Sequence, residues 1–455
     1  MLSAPLLTLL VAVAPSFAGE VEWEGHYRGR GLVFNSLSLA DEVDNANAEG
    51  VSAWTDHRLR LQPTFWAHSK VSVHAQLDML PLGEWGDTPN TYTDTWTDSA
   101  VPLAFTDGVA PYDDEADGGS YLRNVSLTRA WGEVYLPFGK LSVGRMPLDW
   151  GAQIMLNDGL DPEDEFGDTG DRVQLQSKVG PIYLLTGLET VSEGFKSVSD
   201  DMHIADVAIA YRRETVGLGL YNRVRFQDFG ETYLGYTGDL WGFAELGYAT
   251  IEAEVVGVLG RGDLDTGAND VRVSAIGGMV AATVERDRLY GGLELGYASG
   301  DQDPNDSELH TFAFDRDHNP TIMLFEEPMP TLEPAVLNDS NGGRELGAVR
   351  TGEGISNAMY LNPKVGYLLT DELSGDLSIF GARMARPSSA EEARPNYGVE
   401  LDLTLRYQPV ESFYLKGTGA LLLPGSYFSQ YESADLGGGF GKPAVGGRLY
   451  GTFTF

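Results

Sequence analysis

The sequence contains no cysteine, so neither a disulfide framework nor a thiolate metal site is open to it. Histidine is scarce. His26, His57, His68, His74, His203, His310 and His318 are the whole set, and none falls in an H-E-x-x-H spacing or a recognisable Ser-His or Asp-His motif. That counts against catalysis without closing the case, because residues distant in sequence converge on folding. Basic residues are outnumbered, with 31 Lys and Arg against 67 Asp and Glu and a net charge of -36. A chain of this charge repels nucleic acid. Beyond the first 18 residues no apolar run approaches the roughly 20 needed for a membrane helix.

What the sequence does have begins at its first residue. Leu2 to Ala14 is a short apolar stretch followed by Pro15-Ser16-Phe17-Ala18-Gly19, with small residues where a signal peptidase reads them. No Lys or Arg follows Met1, a departure from the usual charged start. Residues 1–18 are expected to be a cleaved signal peptide and residues 19–455 a single domain.

The mature chain alternates with the two-residue period of a strand. Near the start, Trp23, Tyr27 and Val33 fall on one face and Glu22, Glu24, His26, Arg28 and Arg30 on the other. Asp56, Arg58, Arg60 and Gln62 alternate with His57, Leu59 and Leu61, and Ser72, His74, Gln76 and Asp78 with Val71, Val73, Ala75 and Leu77. Val399, Leu401, Leu403 and Leu405 alternate in turn with Glu400, Asp402, Thr404 and Arg406. A sandwich would place the apolar faces together in a core; a repeated charged face opposite an apolar one implies water inside and lipid outside. The last residues agree: Leu449, Phe453 and Phe455 share a face opposite Arg448, Tyr450, Thr452 and Thr454. A terminal strand ending on an aromatic residue is the signal read by the barrel-insertion machinery. The expected fold is all-β, a single transmembrane antiparallel β-barrel of about 18 strands with short periplasmic turns and long extracellular loops.

Three segments carry a family resemblance. Arg58-Leu59-Arg60-Leu61-Gln62-Pro63, Val143-Gly144-Arg145-Met146-Pro147-Leu148-Asp149-Trp150-Gly151 and Glu294-Leu295-Gly296-Tyr297-Ala298-Ser299-Gly300-Asp301 resemble alginate-export-type outer-membrane barrels. Asn157-Asp158-Gly159 and Asp164 through Arg172 are similar to uncharacterised barrels of predatory and gliding deltaproteobacteria. The resemblance implies an outer-membrane channel of about 18 strands that passes hydrophilic solutes or an exported anionic polysaccharide, with periplasmic export partners, in a family that includes porin-like members without an alginate role.

The expected lumen path follows the inward cations. Arg28, Arg30, Arg58 and Arg60 belong to the first strands, Arg123 and Arg129 to the next, and Arg172 and Lys178 to the strand before the Gly180-Pro181 turn. Arg223, Arg225 and Arg272 lie in the middle of the chain, and Lys364, Arg406, Lys416 and Arg448 in the last strands. Inward acids such as Glu24, Asp56, Asp78, Glu133, Glu294, Asp376, Glu400 and Asp402 would pair with them across neighbouring strands. The simpler account is therefore a ladder of salt bridges bracing a water-filled wall. Asp161, Asp164 and Asp168 sit in a carboxylate-dense loop with oxygen enough for calcium, yet its spacing is not that of an EF-hand and a solvated acidic loop is the better account. No cofactor is expected. The long segment from Asp301 to Ile355, with Phe312, Phe314 and Phe325, is expected either to fold inward as a plug or constriction or to project to a surface partner. A plugged barrel acting in surface adhesion or assembly is the rival reading, and an enzyme on a barrel scaffold the third.

Overall fold

A computed structural model describes residues 19–37, 39, 51–84, 125–192, 202–228, 232–262, 271–302, 307–318, 320–327, 354–387, 394–429, 432–433 and 438–455. The apolar leader, Arg123 and most of the acidic stretch after Leu82 lie outside the described residues.

Because the side-chain period of these segments is two, each runs as an extended strand, and in a membrane such strands must close so that no backbone edge faces lipid. They do close. The strands are β1 (Glu20–Asn35), β2 (Val51–His68), β3 (Val71–Glu84), β4 (Val125–Leu136), β5 (Gly139–Pro147), β6 (Thr169–Val179), β7 (Ile182–Ser192), β8 (Met202–Arg213), β9 (Val216–Asp228), β10 (Thr232–Glu245), β11 (Ala249–Gly262), β12 (Val271–Arg286), β13 (Leu289–Ala298), β14 (Glu308–Leu309), β15 (Ala358–Leu368), β16 (Leu373–Met384), β17 (Asn396–Val410), β18 (Phe413–Pro424), β19 (Glu432–Ser433), β20 (Gly438–Gly439) and β21 (Ala444–Thr454). Setting aside the two-residue β14, β19 and β20, eighteen antiparallel strands form one ring, in which β21 pairs with both β18 and β1. The seam is closed to the last residue: Gly25 N–H donates to the Phe455 carbonyl at 3.0 Å and Phe455 N–H to the Gly25 carbonyl at 3.1 Å.

Chain termini and short turns share one end of the ring. The turns at 69–70, 137–138, 180–181, 214–215, 287–288 and 411–412 have two residues each. Long connections occupy the other end, and two of them matter below: 148–168 between β5 and β6, and the described parts of 299–357 between β13 and β15.

The outer face is an apolar band. Leu403 is 56% exposed and Leu449 57%, in a chain where such residues would otherwise be buried. Tyr211, Tyr367, Tyr407, Phe453 and Phe455 ring it toward the turn end, and Phe226, Tyr236 and Tyr297 toward the other. An apolar band between two aromatic girdles is the lipid-facing surface of an outer-membrane-type barrel. No helix among the described residues is long and apolar enough to cross a membrane.

The inner face carries the polar partners of the same strands: His26, Arg28 and Arg30 on β1, Asp56, Arg58 and Arg60 on β2, and Ser72, Gln76 and Asp78 on β3 are all buried within the ring. One stretch breaks the pattern. On β12 the buried residues are Val271, Ala275 and Met279, while Arg272 shares the exposed outer face with Ile276 and Val280. Arg272 is therefore not a lumen residue, contrary to expectation. The inside of the wall is apolar there because a loop packs against it.

The two faces should respond oppositely to charge. Leu403→Arg, in the middle of β17 and facing lipid, is expected to destabilise the barrel by about 2–4 kcal/mol, whereas Thr404→Arg on the inner face should cost far less. Urea titration of both variants in lipid bilayers measures the difference; equal costs would contradict the assignment of faces.

Candidate functional site

The loop 148–168 starts on one side of the ring and reaches the other. At its start, Leu148 and Leu156 are buried with Ala208 and Tyr221, and Trp150 lies 5.3 Å from the Tyr221 ring and 6.4 Å from that of Trp241. The Ala152 N–H donates to the Glu254 carboxylate of β11. The chain then turns at Gly159, whose positive φ of 63° suits glycine and where a Cβ would overlap the Phe166 carbonyl. From there it meets the arginines of the far wall.

Those arginines donate to main-chain carbonyls. Arg129 Nη2 reaches the Asp158 carbonyl at 2.7 Å and that of Asp168 at 3.1 Å. Arg60 Nη1 donates to the Gly159 carbonyl. Arg28 Nη1 lies 3.3 Å from the Pro162 oxygen and 3.2 Å from that of Glu163, and Arg58 Nη2 also reaches Pro162 at 3.3 Å. Arg28 is 1% exposed: it is the seat of the loop, not part of an open surface.

The loop's acidic side chains mostly serve the loop itself. Asn157 Oδ1 accepts the Gly159 N–H at 2.9 Å, Asp158 Oδ1 that of Leu160 at 3.1 Å, and Asp161 Oδ1 that of Glu163 at 2.8 Å. Asp164 accepts the Asp161 N–H at 3.1 Å, and Asp168 that of Asn157 at 3.0 Å. The first three are Asx-type turns, and the last two tie more distant parts of the loop together. Among the described residues no group of three or more His, Cys, Asp or Glu is placed to hold a metal, so Asp161, Asp164 and Asp168 do not converge as a calcium site. Burial pushes the Asp164 carboxyl up to about 7, with Asp317 and Asp161 adding to it.

A second inward element is the arm formed by residues 307–327. Phe312 and Phe314 are buried; Phe312 lies over Gly277, where a Cβ would collide with its ring. Phe325 packs edge-on against Tyr397 at 5.2 Å. The buried Glu400 carboxylate of β17 accepts the N–H groups of Ile322, Met323 and Leu324 at 3.0, 3.0 and 2.7 Å. Arg448 holds Glu326 and Glu327, each at 2.8 Å. Of the two expectations for the 301–355 segment, its described part folds inward; residues 328–353 lie outside the described residues.

The remaining cations fall into three places. Arg30, Arg172 and Arg223 join wall pairs: Arg30–Asp56 at 2.7 Å, Arg172–Asp206 at 2.6 Å and Arg223–Glu189 at 3.1 Å. Arg30 also pairs with Glu165 of the loop. Lys178 stands over the Tyr183 ring and Arg225 over that of Tyr233, at 4.7 and 5.6 Å. Lys364, Arg406 and Lys416 form the accessible strip of β15, β17 and β18, with side chains 47, 39 and 28% exposed. Lys364 pairs with Asp376 at 3.2 Å, Arg406 lies 3.9 Å over the Tyr414 ring, and Glu163 at the loop's tip pairs with Arg406 at 3.7 Å and with Lys416. Glu163 is the residue sequence reading missed: nothing local marks one glutamate of an acidic loop as the group that faces the opposite wall.

Among the described residues, Ser72 and His74 are in contact. His74 Nε2 lies 2.8 Å from Ser72 Oγ and its ring stacks on Trp131, but Ser72 is fully buried in the wall and offers no exposed nucleophile.

No family model and no curated protein matches the sequence. Solved structures do match in shape. OccK9 (OpdG) of Pseudomonas aeruginosa aligns over 95% of this chain and 98% of its own at 14% identity, with a TM-score of 0.51. OccK2 (OpdF) of the same organism, solved in complex with glucuronate, aligns over 95% and 98% at 12% identity and a TM-score of 0.51. OpdQ, also from Pseudomonas aeruginosa, gives 95% and 98% at 11% identity and 0.50. At these identities the likeness establishes the outer-membrane barrel fold. The alginate-export resemblance rests on the sequence segments alone.

Glu400→Ala would leave the amides of residues 322–324 buried without their acceptor. Their hydrogen exchange is expected to accelerate by about 10- to 100-fold, with Glu400→Gln intermediate. Exchange mass spectrometry of the folded barrel reads this directly, and unchanged protection would show that the carboxylate does not hold the arm.

Proposed function

We propose that the chain is an outer-membrane channel for small hydrophilic solutes, with preference for those bearing a carboxylate. The observation that carries this reading is the exposed strip of Lys364, Arg406 and Lys416 opposite the Glu163 tip, while Arg28, Arg58, Arg60 and Arg129 are covered by the loop and Arg172 and Arg223 are paired within the wall. A carboxylate passing the strip exchanges water for a sequence of cations, held weakly enough at each to move on. The glucuronate bound by the structurally similar OccK2 fits the same chemistry.

An exported polymer is the less favoured cargo, because two loops meet across the lumen in its path. That meeting also favours a second reading, a plugged barrel working through its outer surface. In the channel reading the leader is removed on export, the Leu449–Phe453–Phe455 face presents the insertion signal, and the apolar band sits in outer-membrane lipid.

Planar-bilayer recording of the refolded mature chain tests this. Discrete conductance steps are expected, with anion preference and with block by glucuronate exceeding block by an anionic polysaccharide. Glu163→Gln should raise the anion-to-cation permeability ratio about twofold, and Lys416→Gln should lower it by a similar factor. Absence of steps from a folded barrel would favour the plugged reading; stronger block by polymer would favour export.

A further inference from the structure

The two inward loops touch each other as well as the wall, and the contact is made mostly by acids. Asp315 N–H donates to the Ile154 carbonyl at 2.8 Å. Asp317 accepts the Glu165 N–H at 2.8 Å and the Phe166 N–H at 3.0 Å, and the Arg316 guanidinium lies 3.5 Å over the Phe166 ring. Between these contacts the side chains of Asp168 and Asp315 hydrogen-bond to each other. Two carboxylates have no proton to put between them; a bond joining them requires that one be protonated.

We propose that this contact is a proton-held latch: Asp168 and Asp315 share one proton, and its loss to the lumen water frees the 307–327 arm from the 148–168 loop. The consequence for passage rests on the channel reading above.

The surroundings leave little to compensate a second negative charge. The charged groups that act on the pair itself are Asp317, Arg223 and Arg129. Further out, Asp158 and Asp161 crowd Asp164 on the loop, and Arg316 and Glu326 flank Asp317 on the arm. The wall contributes Arg58, Arg129 and Arg223, and each already has acceptors: Arg58 the Pro162 carbonyl, Arg129 two loop carbonyls and Gln76, Arg223 the Glu189 carboxylate. Burial raises both Asp168 and Asp315 above the ordinary carboxylate range, and raises Asp317 to about 6. The sign follows from linkage. A carboxyl whose pKa is raised by the closed state binds its proton more tightly there, so the closed state is favoured most below the ordinary carboxylate value. That preference declines as pH rises and is gone above the raised values, so opening belongs to the alkaline side of neutrality.

The test uses the absence of native cysteine. Nitroxide labels attached through Leu160→Cys and Pro320→Cys report the separation of loop and arm by pulsed electron resonance. Conductance is recorded in parallel from about pH 3.5 to about pH 9, a span covering ordinary and raised carboxylate values. The expected result is a longer, broader distance distribution on the alkaline side and a conductance increase of about twofold. Both should vanish in Asp168→Asn with Asp315→Asn, whose amides bond to each other without a titratable proton; heat-modifiable migration on gels confirms that this variant folds. A distance unaffected by pH overturns the latch, as does a response that survives in the double variant or disappears with EDTA, which would assign it to a bound cation. A pH-dependent distance in a barrel that never conducts upholds the latch and removes the channel reading instead.

Discussion

A guanidinium carries several N–H donors and no acceptor, and the inner wall sets such groups side by side. Arg28 of β1 stands directly opposite Arg58 of β2 in the strand register, and Arg60 opposite His26. Like charges in that position repel, and burying them without acceptors costs several kcal/mol per ion. The wall's own acids satisfy only part of the need: Asp78 takes Arg60, and Asp56 serves Arg30 and lies 3.9 Å from Arg28. Further acceptors come from carbonyl oxygens of the 148–168 loop, so the arginines determine where that loop must lie.

The loop in turn has to present carbonyls toward the wall while its N–H groups find other partners. The density of aspartate supplies these. Asp158, Asp161, Asp164 and Asp168 each accept a main-chain N–H from within the loop, and Asp317 of the arm accepts two more. A stretch that reads as solvated acid or as an ion site is, in the folded chain, the set of acceptors that leaves the carbonyls free. Arginine wall, aspartate turns and arm form one continuous hydrogen-bonded structure across the lumen.

The barrel was legible because strand periodicity is local: Arg58 and Leu59 declare their faces without knowledge of anything distant. The loops were not, because their fold is decided by partners far away in the sequence, 134 residues for Arg28 and Pro162 and 76 for Glu400 and Leu324. Arg272 shows where the local rule fails. Polar-in and apolar-out presumes water inside, but against β12 the inside is occupied by Phe312 and Phe314, so Val271, Ala275 and Met279 turn inward and the arginine faces out. The aromatic residues of the 301–355 segment were the available clue, since a solvated loop has no use for phenylalanine.

Main-chain and side-chain atoms have separate tasks where the loop meets the wall, and in the proposed channel the separation bears on selectivity. The seat of the 148–168 loop uses carbonyl oxygens, which every residue type provides. The face it turns to the accessible strip uses the Glu163 side chain, set against Lys416 and Arg406. Replacing that side chain changes the charge met by a solute without removing any carbonyl from Arg28 or Arg58. Selectivity can therefore shift while the loop stays in place, and the buried arginines, which contribute little directly to the path, are what makes the shift possible.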